Sequence, residues 1–237
     1  MILPNNIHDS WKPFLTKEMI DELKEIEQQI GSNYNPHETD RILRFLTTDL
    51  HQVKVIWLGQ DVYPMKGAAT GRSFEVGGLE SWHGPFRQVS LKNIVRLLHK
   101  NFNQIEDYSD IKSFQSIKSE ISSGSFPIKP PHLWFDDLEK QGVLFLNTSF
   151  TCETGKPNSH KHIWAHFSQQ VLAYISKCNP NISWFLWGKE AISNKVYIEK
   201  GRFYESRHPM MCSVKYPDDF LKFQGFERTR NDIHWVH

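Results

Sequence analysis

Cysteine is scarce. Cys152, Cys178 and Cys212 are an odd number, with no C-x-x-C pair anywhere in the 237 residues. A disulfide framework and a cysteine zinc site are therefore not expected, and a reducing, cytoplasmic setting fits. Long apolar runs are absent, so no segment is expected to span a membrane. The opening Met1-Ile2-Leu3-Pro4-Asn5-Asn6 has no basic stretch followed by an apolar one, and no secretory signal is read there. Neither sign of charge dominates. The 28 Lys+Arg against 27 Asp+Glu exclude a highly basic nucleic-acid coat and an acidic tail. Local clusters can still bind phosphate. Internal repeats, a G-x-S-x-G nucleophile elbow and a Walker loop are also missing. Gly67-Ala68-Ala69-Thr70-Gly71 is not followed by the Lys of a phosphate loop.

What is present is a globular mixture, 39% hydrophobic and 23% charged, long enough to bury a sizeable core. His162 and His166 stand four apart, a spacing that lets two imidazoles share a helix face. No Glu follows His162, so a polar helix face is preferred to a metal site. Thr16–Gln29 reads as an amphipathic helix through Met19, Ile20, Leu23, Ile26 and, just beyond, Ile30. A short helix is expected after Pro36, and others over Ser90–His99 and near His162–Ile175. Ser159 is the expected cap of the last. Four short apolar runs read as strands: Val53–Leu58, Gly142–Leu146, Ile182–Trp187 and Arg202–Glu205. Residues 59–84 read as loop. Residues 101–131, polar and serine-rich, read as an insertion or a mobile loop.

Strands alternating with helices imply a single α/β domain over residues 1–237, with a short central parallel sheet flanked by helices in three layers. In such sheets ligands bind beyond the carboxyl ends of the strands. Gln60-Asp61, Asn147, Gly188-Lys189 and His208-Pro209 each follow a strand and would meet at that edge. An Asp and a His without a covalent nucleophile point to an activated water or to electrostatic stabilisation of a charged transition state. An Asn both donates and accepts, which suits it to reading an amide-like edge. Each residue alone is more often a turn or cap residue; their order and spacing carry the signal.

That order resembles the family 1 uracil-DNA glycosylases. Gly59-Gln60-Asp61-Val62-Tyr63 is similar to the family's water-activating motif Gly-Gln-Asp-Pro-Tyr, and the run continues in step to Gly71 and Phe74. Gln141–Thr148 resembles its uracil-reading strand, and Asn158-Ser159-His160-Lys161 another family segment. Leu186-Trp187-Gly188-Lys189 resembles its Gly-Ser loop, and His208–Ser213 its His-Pro-Ser-Pro-Leu-Ser loop. Trp11-Lys12-Pro13 resembles its N-terminal segment.

The resemblance implies excision of uracil from DNA with no metal and no cofactor. It makes Asp61 and His208 catalytic, and Gln60, Tyr63, Phe74 and Asn147 base-binding. It assigns DNA contacts to Ser90, Gly188, Lys189, Met211, Cys212 and Ser213. Uracil-containing DNA, single- or double-stranded, and a DNA-mimicking inhibitor protein are the implied partners of what is expected to be a monomer.

The departures cluster on DNA handling. Val62 replaces the family's Pro, and Pro64 its His. The proline-rich loop is reduced to a single proline at Pro85-Phe86-Arg87-Gln88-Val89-Ser90. Lys189 stands for Ser, and Met210, Met211 and Cys212 for Ser, Pro and the wedging Leu. Met211 could take over the wedge, since apolar wedges include Met. These changes point to action favouring single strands, where flipping costs less. Two alternatives stay open: a glycosylase for a modified pyrimidine, and a non-catalytic DNA-binding or interaction protein on the same fold.

Overall fold

The computed structural model describes residues 2–236. Its centre is a parallel sheet in the order β3-β2-β5-β6. The strands are β2 (Val55–Gly59), β3 (Val143–Asn147), β5 (Ser183–Trp187) and β6 (Arg202–Ser206). A two-stranded antiparallel ribbon pairs β1 (Tyr34–Asn35) with β4 (Cys152–Glu153). The helices are α1 (Lys17–Ile30), α2 (Thr39–Ile42), α3 (Val89–Phe102), α4 (Phe114–Ser123), α5 (Pro131–Gln141), α6 (Lys161–Cys178), α7 (Lys189–Ser193) and α8 (Gly225–Arg228). Among the described residues no helix is long and apolar enough to cross a membrane.

Strands β2, β3 and β5 are buried on both faces, and their alternate residues sort into two cores. Ile56, Leu58, Leu144, Leu146, Trp184 and Leu186 face one way, against Leu23 and Ile26 of α1 and Trp164, Phe167 and Val171 of α6. Val55, Trp57, Val143, Phe145, Phe185 and Trp187 face the other, against Leu91, Ile94 and Val95 of α3 and Trp134, Phe135 and Leu138 of α5. The period of two in a strand makes this split obligatory, and it yields the expected three layers. Trp57 anchors the second core, its ring centroid 5.1 Å from those of both Phe145 and Trp187.

The strands fall within two residues of their expected ends, and Thr16 caps α1 by accepting the Met19 N–H. Two readings need correction. Ser159 does not cap α6: the position before Lys161 is His160, without a side-chain cap, and the Ser159 hydroxyl instead accepts the Glu153 N–H at 2.7 Å. Residues 101–131 are not loop throughout. Ser113 caps α4 by accepting the Ser116 N–H, and Phe114, Ile117 and Phe126 are buried. The serines of α4 lie on its outer face, where they dilute the apolar spacing. His166 pairs with Glu22 across 3.0 Å, and no cluster of metal-binding side chains occurs among the described residues.

Candidate active site

Parallel strands deliver their following loops to one edge, and four of them meet here. β2 runs into Gln60 and Asp61, β3 ends at Asn147, β5 leads to Gly188, and β6 leads through Ser206 to His208. A cleft of about 360 Å³ opens among them, lined by Gly59, Gln60, Phe74, Gly188, Lys189 and His208.

Two glycines make the convergence close. A Cβ on Gly59 would overlap the Asn147 carboxamide oxygen, and a Cβ on Gly188 would come within 2.9 Å of His208 Cβ. The Asn147 side chain thus lies buried against the β2 terminus. Beyond it the two chain ends stay tied: Thr148 N–H donates to Gly59 O, and Ser149 N–H to Gln60 O at 2.9 Å.

Asp61 sits in a half-buried bend. Its Oδ2 accepts the backbone N–H of Asn158. Its Oδ1 is buried and lacks a well-formed hydrogen bond among the described residues. Burial pushes the carboxyl above its ordinary value, and the Asn158 N–H works against that shift. Ser149 lies near enough to favour the charged form as well, although its hydroxyl donates to Thr151 O at 2.9 Å.

His208 is fixed by its own loop. Met210 N–H donates to Nδ1 at 3.1 Å. An imidazole that accepts at Nδ1 carries its proton at Nε2. Packing around the ring holds its pKa below the ordinary value even though one edge faces solvent. The loop is anchored from α3, where Asn93 Nδ2 donates to Pro209 O at 2.6 Å and Arg96 holds Asn93 Oδ1 at 2.9 Å.

Phe74 has φ 65°, a conformation that costs a non-glycine residue roughly 1 kcal/mol or more. Three contacts hold it there. Ser73 Oγ donates to Trp57 O at 2.9 Å, and Tyr63 OH donates to Phe74 O at 3.4 Å. On its other side Glu75 pairs with Arg72, which also binds Asp136 and Glu139. The Phe74 ring stacks edge-on to Trp187 at 5.1 Å and tilts toward His208 at 6.3 Å. Burial pushes the Tyr63 hydroxyl well up, so it stays a neutral donor.

The loop after β2 is also held from outside. Asn35, buried in the β1–β4 ribbon, donates to the carbonyls of Tyr63 and Met65. Val62, which stands where proline was expected, packs against Ala69 and Cys152; side-chain burial there takes the place of a ring-fixed φ.

Of the proposed DNA-contact residues, Gly188 and Lys189 line the cleft. Ser90 is half-buried in the first turn of α3, and Lys189 is exposed at the start of α7. Met210 and Met211 are 57% and 68% exposed. Cys212 turns inward, half-buried, its Sγ 3.7 Å from Pro209 O. Ser213 N–H donates to the buried Asp219, which also takes the Tyr108 hydroxyl. Asn35, Asn93 and Asn158 hold the site without having been singled out as site residues. Only Asn158 had a signal, through its place in the segment Asn158–Lys161.

No family model matches the chain. It is 31% identical over 206 residues to the uracil-DNA glycosylase of Blochmanniella floridana, covering 86% of this chain and 80% of that protein. Among solved structures it superposes on the wild-type UNG of Nitratifractor salsuginis with a TM-score of 0.66 at 22% identity, over 87% of this chain and 86% of that one. It also superposes on a mimivirus UNG point mutant in complex with UGI, with a TM-score of 0.64 at 20% identity, over 85% and 70% of the two chains. The structural matches bear on the fold.

Proposed function

The chain belongs to the uracil-DNA glycosylase family, and on that premise we propose that it hydrolyses the bond between uracil N1 and deoxyribose C1′ in DNA, leaving an abasic site. The target nucleotide is flipped out of its strand at a cost of a few kcal/mol. Phe74 stacks on the base. The Asn147 carboxamide pairs with N3–H and O4, an edge that cytosine presents with donor and acceptor reversed. Tyr63 fills the space beside C5 and excludes the thymine methyl. Backbone amides at Gln60 and Asp61 complete the base site.

As the bond to C1′ breaks, its electron pair moves into the ring and negative charge gathers on O2. His208 donates from Nε2 to that oxygen. The Met210 N–H at Nδ1 supports this reading most directly, because a ring that accepts there presents its single proton to the cleft. A second proton on Nδ1 would oppose the Met210 N–H, and the lowered pKa agrees with a neutral ring. Positive charge spreads over the sugar. Asp61, ionised, stabilises it and orients the water whose oxygen joins C1′; the water's proton passes to the carboxylate, and the uracil anion takes up a proton from solvent.

Ser90, Gly188, Lys189 and Ser213 contact phosphates, and exposed Met211 rather than inward-turned Cys212 serves as the wedge. With so little of the backbone-pinching apparatus, the enzyme favours single strands. A DNA-mimicking inhibitor protein would compete at the same cleft. Release of free uracil from a uracil-containing oligonucleotide, measured by chromatography, tests the reading. Release of a modified pyrimidine in its place, or binding without release, would replace it.

A further inference from the structure

The reactive carboxylate is held by a residue outside the four strand-end loops. Asn158 stands three residues before α6 and has φ 63°. That left-handed conformation is uncommon for a residue with a side chain, and asparagine tolerates it better than most. Three polar groups of Asn158 are engaged. Its backbone N–H donates to Asp61 Oδ2, its side-chain Oδ1 accepts Gln60 Nε2 at 2.9 Å, and its carbonyl accepts the Lys161 N–H at 3.2 Å. The neighbouring Ser159 hydroxyl fastens the same turn to Glu153. One bent residue therefore joins the first turn of an 18-residue helix to two consecutive residues of the loop after β2.

The consequence falls on Asp61. A carboxylate free to rotate would offer either oxygen to solvent or substrate. With Oδ2 held by the Asn158 N–H the carboxylate is fixed in one rotation, its Oδ1 buried. Buried carboxylates resist ionisation unless hydrogen bonds to the charged form offset desolvation. The titratable group facing Asp61 is the Cys152 thiol, which burial and the Asp61 charge push up to about 12, so it is neutral and supplies no positive charge. Beyond Asn158 the favourable contacts are the Val62 N–H and Ser149.

We propose that Asn158 is a positioning residue: its left-handed turn aims the backbone N–H at Asp61 Oδ2, so that Asp61 is ionised and held in one orientation for the attacking water. The water's role rests on the glycosylase reading above; the hold on Asp61 does not.

The series Asn158→Gly, Asn158→Ala and Asn158→Val tests this by backbone preference. Glycine adopts φ 63° freely, alanine with strain, and a β-branched valine least readily. All three lose the amide to Gln60, so the series isolates the turn. On the acid limb, below the Asp61 pKa, the expected order of kcat is Gly, Ala, Val, with valine about tenfold below glycine for each unit of carboxyl pKa. The acid limb of the kcat profile should move to higher pH in the same order, which a merely less stable protein would not show. Should the valine variant not fold, the glycine–alanine comparison decides. A carbon-13 NMR titration of the Asp61 carboxyl gives the same order without using activity, so it separates failure of this proposal from failure of the glycosylase reading. Equal pKa values for Asp61 across the folded variants would overturn the proposal.

Discussion

The Met210 backbone N–H points at Nδ1 of His208 from 3.1 Å, two residues along the same loop. A lone pair must meet it, so the neutral ring carries its proton on Nε2. Protonating the other nitrogen would cost that hydrogen bond as well as the desolvation of a cation. The loop itself thus makes the imidazole a neutral donor.

His208→Ala should lower the excision rate by about two to three powers of ten, the usual cost of losing one oxyanion donor, while the melting temperature stays close to the parent. The pH profile follows from two shifts. Asp61 lies above its ordinary 3.8, and the proposed mechanism needs it ionised. His208 lies below its ordinary 6.5, and the same mechanism needs it neutral. Both requirements fail as pH falls, so kcat/KM should be level through neutrality and drop on the acid side, between those two ordinary values. For stability only His208 has that sign, because Asp61, whose folded pKa is raised, confers stability at low pH that is lost as pH rises through its folded value. The folded protein binds its His208 proton less readily than the unfolded chain, so stability conferred above pH 6.5 is lost as pH falls toward the folded pKa. An acid limb above pH 6.5 that disappears in His208→Ala would contradict the assignment.

Phe74 separates stacking from strain. Phe74→Ala and Phe74→Gly both remove the ring, and each should weaken binding by about 1–3 kcal/mol, the usual worth of one base on an aromatic face. Glycine alone relieves φ 65°. It should therefore melt above the alanine variant, by the equivalent of about 1 kcal/mol. Thermal denaturation of the pair measures this, and equal melting points would mean that the position is not strained.

Arg72 is 5% exposed among Glu75, Asp136 and Glu139. Arg72→Met would leave three carboxylates without their shared cation. The expected loss is about 3 kcal/mol, the low end for a broken buried pair, because Asp136 is half-exposed. Urea denaturation reads it directly. The neighbouring Phe74 should loosen too, raising KM for the oligonucleotide.

Tyr63→Ala should admit thymine by opening the space beside C5, since a steric gate works only while its bulk is present. Release of thymine from an ordinary oligonucleotide is the readout. A variant that still leaves thymine untouched would place the gate elsewhere.

Much of this fold could be read from the residues because buried parallel strands announce themselves. Val55–Leu58 and Trp184–Trp187 are short and wholly apolar, and each is followed by a glycine and then the polar residue it delivers to the sheet edge. The helix over Phe114–Ser123 was hidden because serine-rich outer positions break the apolar spacing on which such a reading depends. The clamps were hidden for a different reason. Asn35 and Asn93 act on carbonyl oxygens, and Asn158 acts through its own N–H. Contacts to backbone leave no pattern in side-chain identity, and these span 28, 116 and 97 positions in the chain. Ser159 shows the same limit: as a cap or as a partner for Glu153 it would be the same letter.

The most direct test of the whole account is a glycosylase assay on single- and double-stranded oligonucleotides carrying one uracil, with Asp61→Asn beside the parent. We expect alkali-cleavable sites from the parent, more rapidly on the single strand, and a fall of about two to four powers of ten in the variant with DNA binding retained. An equal rate in Asp61→Asn, or no cleavage by parent protein that still binds the DNA, would contradict it.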